Sequence, residues 1–394
     1  MTSFAIELKN RLDKSQHDGV FRNLVNTHKI KVSYIYINNK KLLNLASNDY
    51  LNLSNHPKII AAAKSSLDEH GCGATSSRLI VGNNILYEET EKKLANLKQT
   101  ESALLYPSGY HANIGSISAL MGRKDIVFSD KLSHASILDG IMLTRSIHKR
   151  FRHNDMDHLK WLLNRYRNNH PRALIITESI FSMDGDIAPI EHLVELKKEY
   201  DCWLMLDEAH ATGVLGEKGG GLAVDRDLAD EIEIHMGTTS KAFGSIGGYI
   251  AGKKLLIDYL VNSARSFIYS TALPAPVIAS INKGIDLVIE ADNQRKVLQK
   301  NADYLRSHLS RKGINTGVSQ THIVPLIVGE NKQTVEWSKL LLEAGIALVA
   351  IRPPTVPQGE ARLRISLTSA ISKLQLEQAV ESIIETGRKA GVLI

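Results

Sequence analysis

The chain has 394 residues, enough for two or three domains, of which 43% are hydrophobic and 23% charged. That balance is ordinary for a globular protein and excludes a collagen-like, coiled-coil or wholly disordered chain. Lys and Arg number 48 against 42 Asp and Glu, a net charge of +6. The basic residues are scattered without zinc-finger spacing or an RNA-binding signature, so nucleic acid is not an expected partner.

Apolar runs such as 173–176 and 340–342 are far shorter than the roughly 18 residues of a membrane span. Residues 1–14 interleave Glu7, Lys9, Arg11 and Asp13 with apolar positions, which is no signal-peptide core. A soluble cytoplasmic protein is expected, with no membrane partner. Cys72 and Cys202 are the only cysteines, so neither a disulfide scaffold nor a metal site is expected, and both read as small buried hydrophobes.

Taken in chain order, the first strand is expected at 103–106, followed by Pro107-Ser108-Gly109-Tyr110 and a helical stretch over 114–120. Free N–H groups at such a helix start, with Gly109 allowing close backbone approach, suit an anion. A strand at 125–128 leads to Asp130 and then His134, taken alone a structural histidine. The basic run from His148 to His153 reads as a solvated face. Met156, Leu159, Leu162, Leu163 and Tyr166 recur at helical spacing, as do Ile190, Leu193, Val194 and Lys197. Between them a strand at 173–178 precedes Ser182.

A strand at 203–207 ends in Asp207-Glu208-Ala209-His210, and one at 232–237 runs into Thr238-Thr239-Ser240-Lys241. These short apolar runs alternating with helices give an α/β fold with a mostly parallel sheet, whose ligands belong at the strand carboxyl ends. Asp207 alone reads equally as a helix cap or metal ligand, and Lys241 alone as a surface lysine. Together, one strand–helix–strand crossover apart, they match what pyridoxal phosphate requires: a Schiff-base lysine and an acid facing the pyridine nitrogen. Pro274 and Pro276 mark an expected domain boundary, and a long amphipathic stripe over 281–312 ends at Gly313. Beyond it come a strand at 323–328, a helix at 334–344, and strands at 347–351 and 362–366. The expected division is an N-terminal segment, 1–45, packing with a small C-terminal domain, 276–394, and a large cofactor domain, 46–275.

These segments together resemble the α-oxoamine synthase family of fold-type I pyridoxal-phosphate transferases, from Leu45-Ala46-Ser47-Asn48-Asp49-Tyr50-Leu51 to Arg362-Leu363-Arg364. The resemblance implies that Lys241 carries the cofactor, Asp207 pairs with its ring nitrogen, and His134 stacks on the ring. It also implies that Ser182 and His210 contact the phenolic oxygen, and that the backbone at Gly109-Tyr110 and the hydroxyl of Thr238 bind the cofactor. Ser270-Thr271 matches a segment that reaches the phosphate of the neighbouring subunit, implying a homodimer. Lys241, His134 and Asp207 are thereby the expected catalytic residues.

Within the family, Ile351-Arg352-Pro353-Pro354-Thr355-Val356-Pro357, with Gly359 and Arg362-Leu363-Arg364, resembles the biotin-pathway branch. That branch condenses L-alanine with a pimeloyl thioester, carried on coenzyme A or acyl carrier protein, and releases carbon dioxide. Arg364 matches the position that binds the amino-acid carboxylate, where a guanidinium makes two parallel bonds. Arg22, Asn48 and Thr355 match substrate-contact positions. The alternatives are family members that use glycine with a short acyl thioester or serine with a long one. An aminotransferase shares the aspartate–lysine pair but usually stacks an aromatic residue where His134 stands.

Overall fold

The computed structural model describes residues 2–31 and 33–393. They form two compact units, one from residues 1–47, 183–185 and 297–394, the other from 48–182 and 186–296. Among the described residues no helix is long and apolar enough to cross a membrane.

The first unit begins with a helix, Ser3–His17, and an antiparallel meander of β1 (Thr27–Lys31), β2 (Tyr34–Ile37) and β3 (Lys40–Asn44). Leu42 and Leu43 of β3 are buried.

The second unit is built on seven strands: β4 (Ser102–Tyr106), β5 (Ile126–Asp130), β6 (Ile147–Phe151), β7 (Ala173–Glu178), β8 (Trp203–Asp207), β9 (Ile234–Thr238) and β10 (Gly248–Gly252). They lie in the order β4-β10-β9-β8-β7-β5-β6. Only β10 runs antiparallel to its neighbours. The carboxyl ends of β4, β5, β7, β8 and β9 therefore share one edge, and chain order reverses between β5 and β7, where ligands gather in such sheets. Helices cover the faces, which is why β7 reads as a continuous buried run: Leu174, Ile175 and Ile176 are wholly inaccessible. Leu174 and Ile176 pack in one core with Val127, Met205, Met236 and Ile250 and the helix residues Ala112, Ile117 and Ile137.

Two strands depart from the sequence reading. The run His148–His153, expected as a solvated face, is mostly edge strand β6, whose charged residues keep the open edge from pairing with another chain. Strand β10 was not expected, because its glycines at 248 and 252 interrupt any apolar period, yet all five of its residues are buried. Cys202 is buried, but Cys72 is exposed in the turn after the helix Pro57–His70, contrary to its expected burial.

The stripe over 281–312 is two helices rather than one, Ala275–Ile289 and Asp292–Arg311, interrupted at Glu290 and Ala291. Pro276 occupies the first turn of the former, where its missing N–H is harmless, so it starts a helix and marks no boundary. That helix packs on Pro57–His70 and on Leu86–Leu97, burying Ile278, Ile281, Ile285 and Val288. It thus belongs to the second unit, and the division falls at 296/297 rather than 275/276.

The remainder of the first unit holds β11 (Ile323–Gly329), β12 (Ile346–Ala347), β13 (Ala350–Ile351) and β14 (Ala361–Ser366). The expected strand at 347–351 is split: β12 pairs with β3, and β13 pairs with β14. Strand β14 lies between β11 and β13, antiparallel to both.

Candidate active site

At the shared edge of the large sheet each candidate side chain follows a strand. After β4, Ser108 caps the helix Gly109–Leu120, its hydroxyl accepting from the His111 N–H. The cap leaves the first-turn N–H groups facing outward, a natural anion site. Space there is tight. A Cβ on Gly109 would stand 2.9 Å from Met236 Cε and 3.6 Å from Thr238 Cβ, and one on Gly248 would collide with the Gly109 backbone. The Thr238 hydroxyl lies 2.7 Å from Ser240 Oγ and 2.6 Å from the Gly247 carbonyl. Gly109 and Thr238 are thereby neighbours, whereas the Tyr110 side chain is engaged at the surface with Asp139.

After β5, His134 caps the helix Ala135–Thr144. Its Nδ1 accepts from the Ser136 N–H at 3.2 Å and lies 2.8 Å from Ser136 Oγ, so the ring proton resides on Nε2. Burial lowers its pKa, Asp207 raises it and Lys241 lowers it, with a net fall that leaves the imidazole neutral. Strands β7 and β8 end in register on Glu178 and Asp207, both buried. Asp207 accepts from Asn113 Nδ2 at 2.9 Å and from the Ala209 N–H at 3.0 Å, two neutral donors. Glu178 accepts from the His134 N–H at 2.6 Å. Burial first, and the Asp207 charge second, push the Glu178 pKa well up, against the pull of His134 and Lys241. Of the two carboxyls, Glu178 is the one whose surroundings favour the protonated form.

Lys241 follows β9 and acts electrostatically on both His134 and Glu178. His210 Nδ1 lies 2.6 Å from Tyr50 Oη, which is also 3.2 Å from Asn48 Oδ1. A cofactor candidate and a substrate candidate therefore meet through one buried tyrosine. Ser182 sits in the loop closed by the bridge between Ile180 and Ile187, and Thr271 is bridged antiparallel to Ser77.

Sequence reasoning passed over Asn113, Ser136, Tyr50 and Glu178 as site residues. Asn113 Nδ2 reaches both Ser136 Oγ and Asp207, while its Oδ1 is buried without a hydrogen bond. Glu178 alone had a signal available, a carboxylate ending a buried strand as Asp207 does.

The other three candidates lie in the first unit. Arg22 donates to the Pro353 carbonyl at 3.3 Å, and the Thr355 N–H to the Arg352 carbonyl at 3.1 Å, so Arg22 is bonded to the turn that carries Thr355. Arg364 stands on β14 opposite Pro325. Burial, with Arg364 and then Arg306 nearby, holds His322 down at about 3, so this histidine is neutral.

The sequence profile of the family described as aminotransferase class I and II matches residues 40–383. The chain belongs to that family. A protein of Bacillus mycoides (strain KBAB4) named "Putative 8-amino-7-oxononanoate synthase" is 46% identical over 388 residues, 98% of each chain. The serine palmitoyltransferase of Sphingomonas wittichii superposes with a TM-score of 0.93 at 31% identity, over 100% of this chain and 99% of that one. An S. paucimobilis serine palmitoyltransferase solved with bound PLP and myriocin gives 0.93 at 29%, over 98% of both. The 8-amino-7-oxononanoate synthase of Francisella tularensis gives 0.76 at 27%, over 88% of this chain and 98% of that one. These relatives are α-oxoamine synthases, and the chain is a PLP-dependent transferase of that kind.

The residues present fit the cofactor. A buried carboxylate that accepts from the neutral donors Asn113 Nδ2 and the Ala209 N–H suits a pyridinium N–H. The glycine-tight helix start beside Thr238 suits a phosphate, and the uncharged His134 suits a ring face. Among the described residues no group of three or more His, Cys, Asp or Glu could hold a metal ion.

Proposed function

We propose that the protein condenses L-alanine with a pimeloyl thioester and releases carbon dioxide, acting as an 8-amino-7-oxononanoate synthase in cytoplasmic biotin synthesis. The observation that carries this reading is the gathering of Asp207, neutral His134 and Lys241 at one sheet edge, in a chain 46% identical to relatives of that name. When bound, pyridoxal phosphate supplies an electron sink for the bond broken at the amino-acid α-carbon.

The Lys241 amine would hold the cofactor and would serve as general base for the α-proton of the amino acid. Asp207 keeps the ring nitrogen protonated, a fixed charge facing the place where negative charge develops. Asn113 and the Ala209 N–H fix that carboxylate in place. His134 packs on the ring and presents its Nε2 proton to the developing acyl oxyanion. The Gly109 and Tyr110 N–H groups hold the phosphate with Thr238, and Thr271 reaches the phosphate of a second copy in a homodimer. Ser182 and His210 contact the phenolic oxygen, Arg364 binds the alanine carboxylate, and Arg22, Asn48 and Thr355 contact substrate.

A serine-using, long-chain reading draws support from the higher TM-score to serine palmitoyltransferase, 0.93 against 0.76. One experiment separates the two. The purified enzyme is given alanine, serine or glycine with pimeloyl-coenzyme A, pimeloyl acyl carrier protein or palmitoyl-coenzyme A, and products are identified by mass spectrometry. A nine-carbon amino-oxo acid derived from alanine is expected; product only from serine would replace the substrate assignment. Lys241→Ala is expected to abolish turnover with every pair, and substantial residual activity would remove Lys241 from its role.

A further inference from the structure

Just beyond edge strand β6, His153 places both ring nitrogens against carboxylates. Its Nδ1 lies 3.0 Å from Asp130 Oδ1 and its Nε2 lies 2.8 Å from Asp186 Oδ2. Ionised carboxylates only accept, so both nitrogens must carry hydrogen and the ring is a cation. Asn154 backs the same pair, its N–H donating to Asp130 Oδ2 at 2.9 Å and its Nδ2 to Asp186 Oδ2 at 2.8 Å. The ring stands edge-on to Phe181, with centroids 4.3 Å apart.

Each carboxylate shapes a loop of the site. Asp130 Oδ1 also accepts from the Leu132 N–H at 2.8 Å, and the Asp130 carbonyl from the Ser133 N–H, which forms the turn that delivers His134. The Asp186 carbonyl accepts from the Phe181 N–H at 3.1 Å, beside the Ile180–Ile187 bridge, fixing the limb that carries Ser182. His153, backed by Asn154, joins these two loops and is the charged member of the link.

We propose that His153 is a positioning residue, a doubly donating cation that clamps the His134 turn to the Ser182 limb and so holds both against the cofactor. The proposal rests on the reading that His134 and Ser182 face pyridoxal phosphate. Burial by itself lowers the His153 pKa, but the two carboxylates outweigh it and raise the ring to about 10. Asp130 of β5 and Asp186 of the loop are the charged groups facing it; Arg150 of β6 bonds the Lys131 carbonyl, and Arg152 pairs with Asp155. Because the folded pKa is raised, the clamp is complete below about 6.5, the ordinary histidine value. It is lost as pH rises through about 10.

The test uses two readouts, one on holoenzyme and one on the apo protein, that need neither amino acid nor thioester, so a failed substrate assignment leaves it untouched. PLP release into a trapping agent is timed from pH 7 to 11 for wild type, His153→Gln and His153→Arg. Release from His153→Gln is expected to be about tenfold faster at pH 7, the effect of one lost charge-assisted bond. His153→Arg, which restores charge and two donors, is expected to approach wild type. Wild type should itself accelerate near pH 10, and His153→Gln should not. In parallel, the His153 ring is titrated by NMR in the apo protein, where it is expected to stay doubly protonated past pH 9.

A ring that titrates near 6.5 overturns the clamp itself. A charged ring with unchanged PLP release in His153→Gln, even with a lowered melting temperature, overturns the positioning role. If His153→Gln does not fold, Asp186→Asn replaces it. That variant is expected to bring the alkaline acceleration to lower pH, and an unmoved acceleration overturns the proposal.

Discussion

Replacing Lys98 with methionine strips the cation from an ion pair that water does not reach. Lys98 and Glu208 are both fully buried. The ammonium bonds a Glu208 oxygen and the Gly220 carbonyl, the Ala223 N–H donates to the other oxygen at 3.2 Å, and His235 Nδ1 stands 3.5 Å away. Burial alone would raise the Glu208 pKa, but Lys98 and His235 together hold it at about 2, against an ordinary 4.5. Holding a carboxyl down that far corresponds to about 3 kcal/mol. With the folded pKa depressed, that stabilisation is present above pH 4.5 and is lost as pH falls through about 2.

Lys98→Met should therefore cost about 3–5 kcal/mol at pH 7, because the carboxylate is left buried and uncompensated. The check is urea denaturation of the apo protein, followed by circular dichroism from pH 3 to 8. Wild type should weaken below pH 4.5, while the variant should be weak at pH 7 and much flatter on the acid side. The double variant Lys98→Met with Glu208→Gln should recover part of the loss, because no buried charge remains. A Lys98→Met protein within about 1 kcal/mol of wild type at pH 7, with an unaltered acid limb, would refute the argument; surface pairs seldom contribute more than that.

Asp207→Asn keeps the shape of the site and removes its fixed charge, so kcat should fall by about 10²–10³, the effect of deleting one preorganised electrostatic partner. Steady-state kinetics on alanine and thioester measure it, and an unchanged kcat would contradict the assigned role. Gly109→Ala brings a Cβ within 2.9 Å of Met236 Cε at the mouth of the anion site, so PLP affinity should drop while the apo protein still folds. Fluorescence titration of the apo protein with PLP reads this directly, and wild-type affinity would move the phosphate elsewhere.

Much of the cofactor unit was legible in the residues because its strands are buried on both faces. Strands β7 and β8 fall at the expected residues, since a continuous apolar run between helices has no other stable place in an α/β chain. Asp207 and Lys241 stood out because a charge at the end of such a run is costly without a partner. Edge and glycine-rich elements gave no such signal. Strand β6 hid inside a basic run, β10 had no apolar period, and the break at Glu290 lay inside an unbroken stripe.

What the sequence determined by itself was the apolar strands β4, β5, β7, β8 and β9 and the candidate groups that follow them, because hydrophobic period and the cost of burying charge are local properties. Only the tertiary structure decided which groups act on one another. Glu178 beside Asp207, Asn113 bonded to Asp207 across 94 positions, and His210 joined to Asn48 through Tyr50 all depend on strand order and register. The same holds for His153 between two carboxylates: its neighbours lie 23 and 33 positions away, and no spacing in the chain announces them. Register is set by the packing of whole strands against one core, so it emerges only when the sheet is assembled.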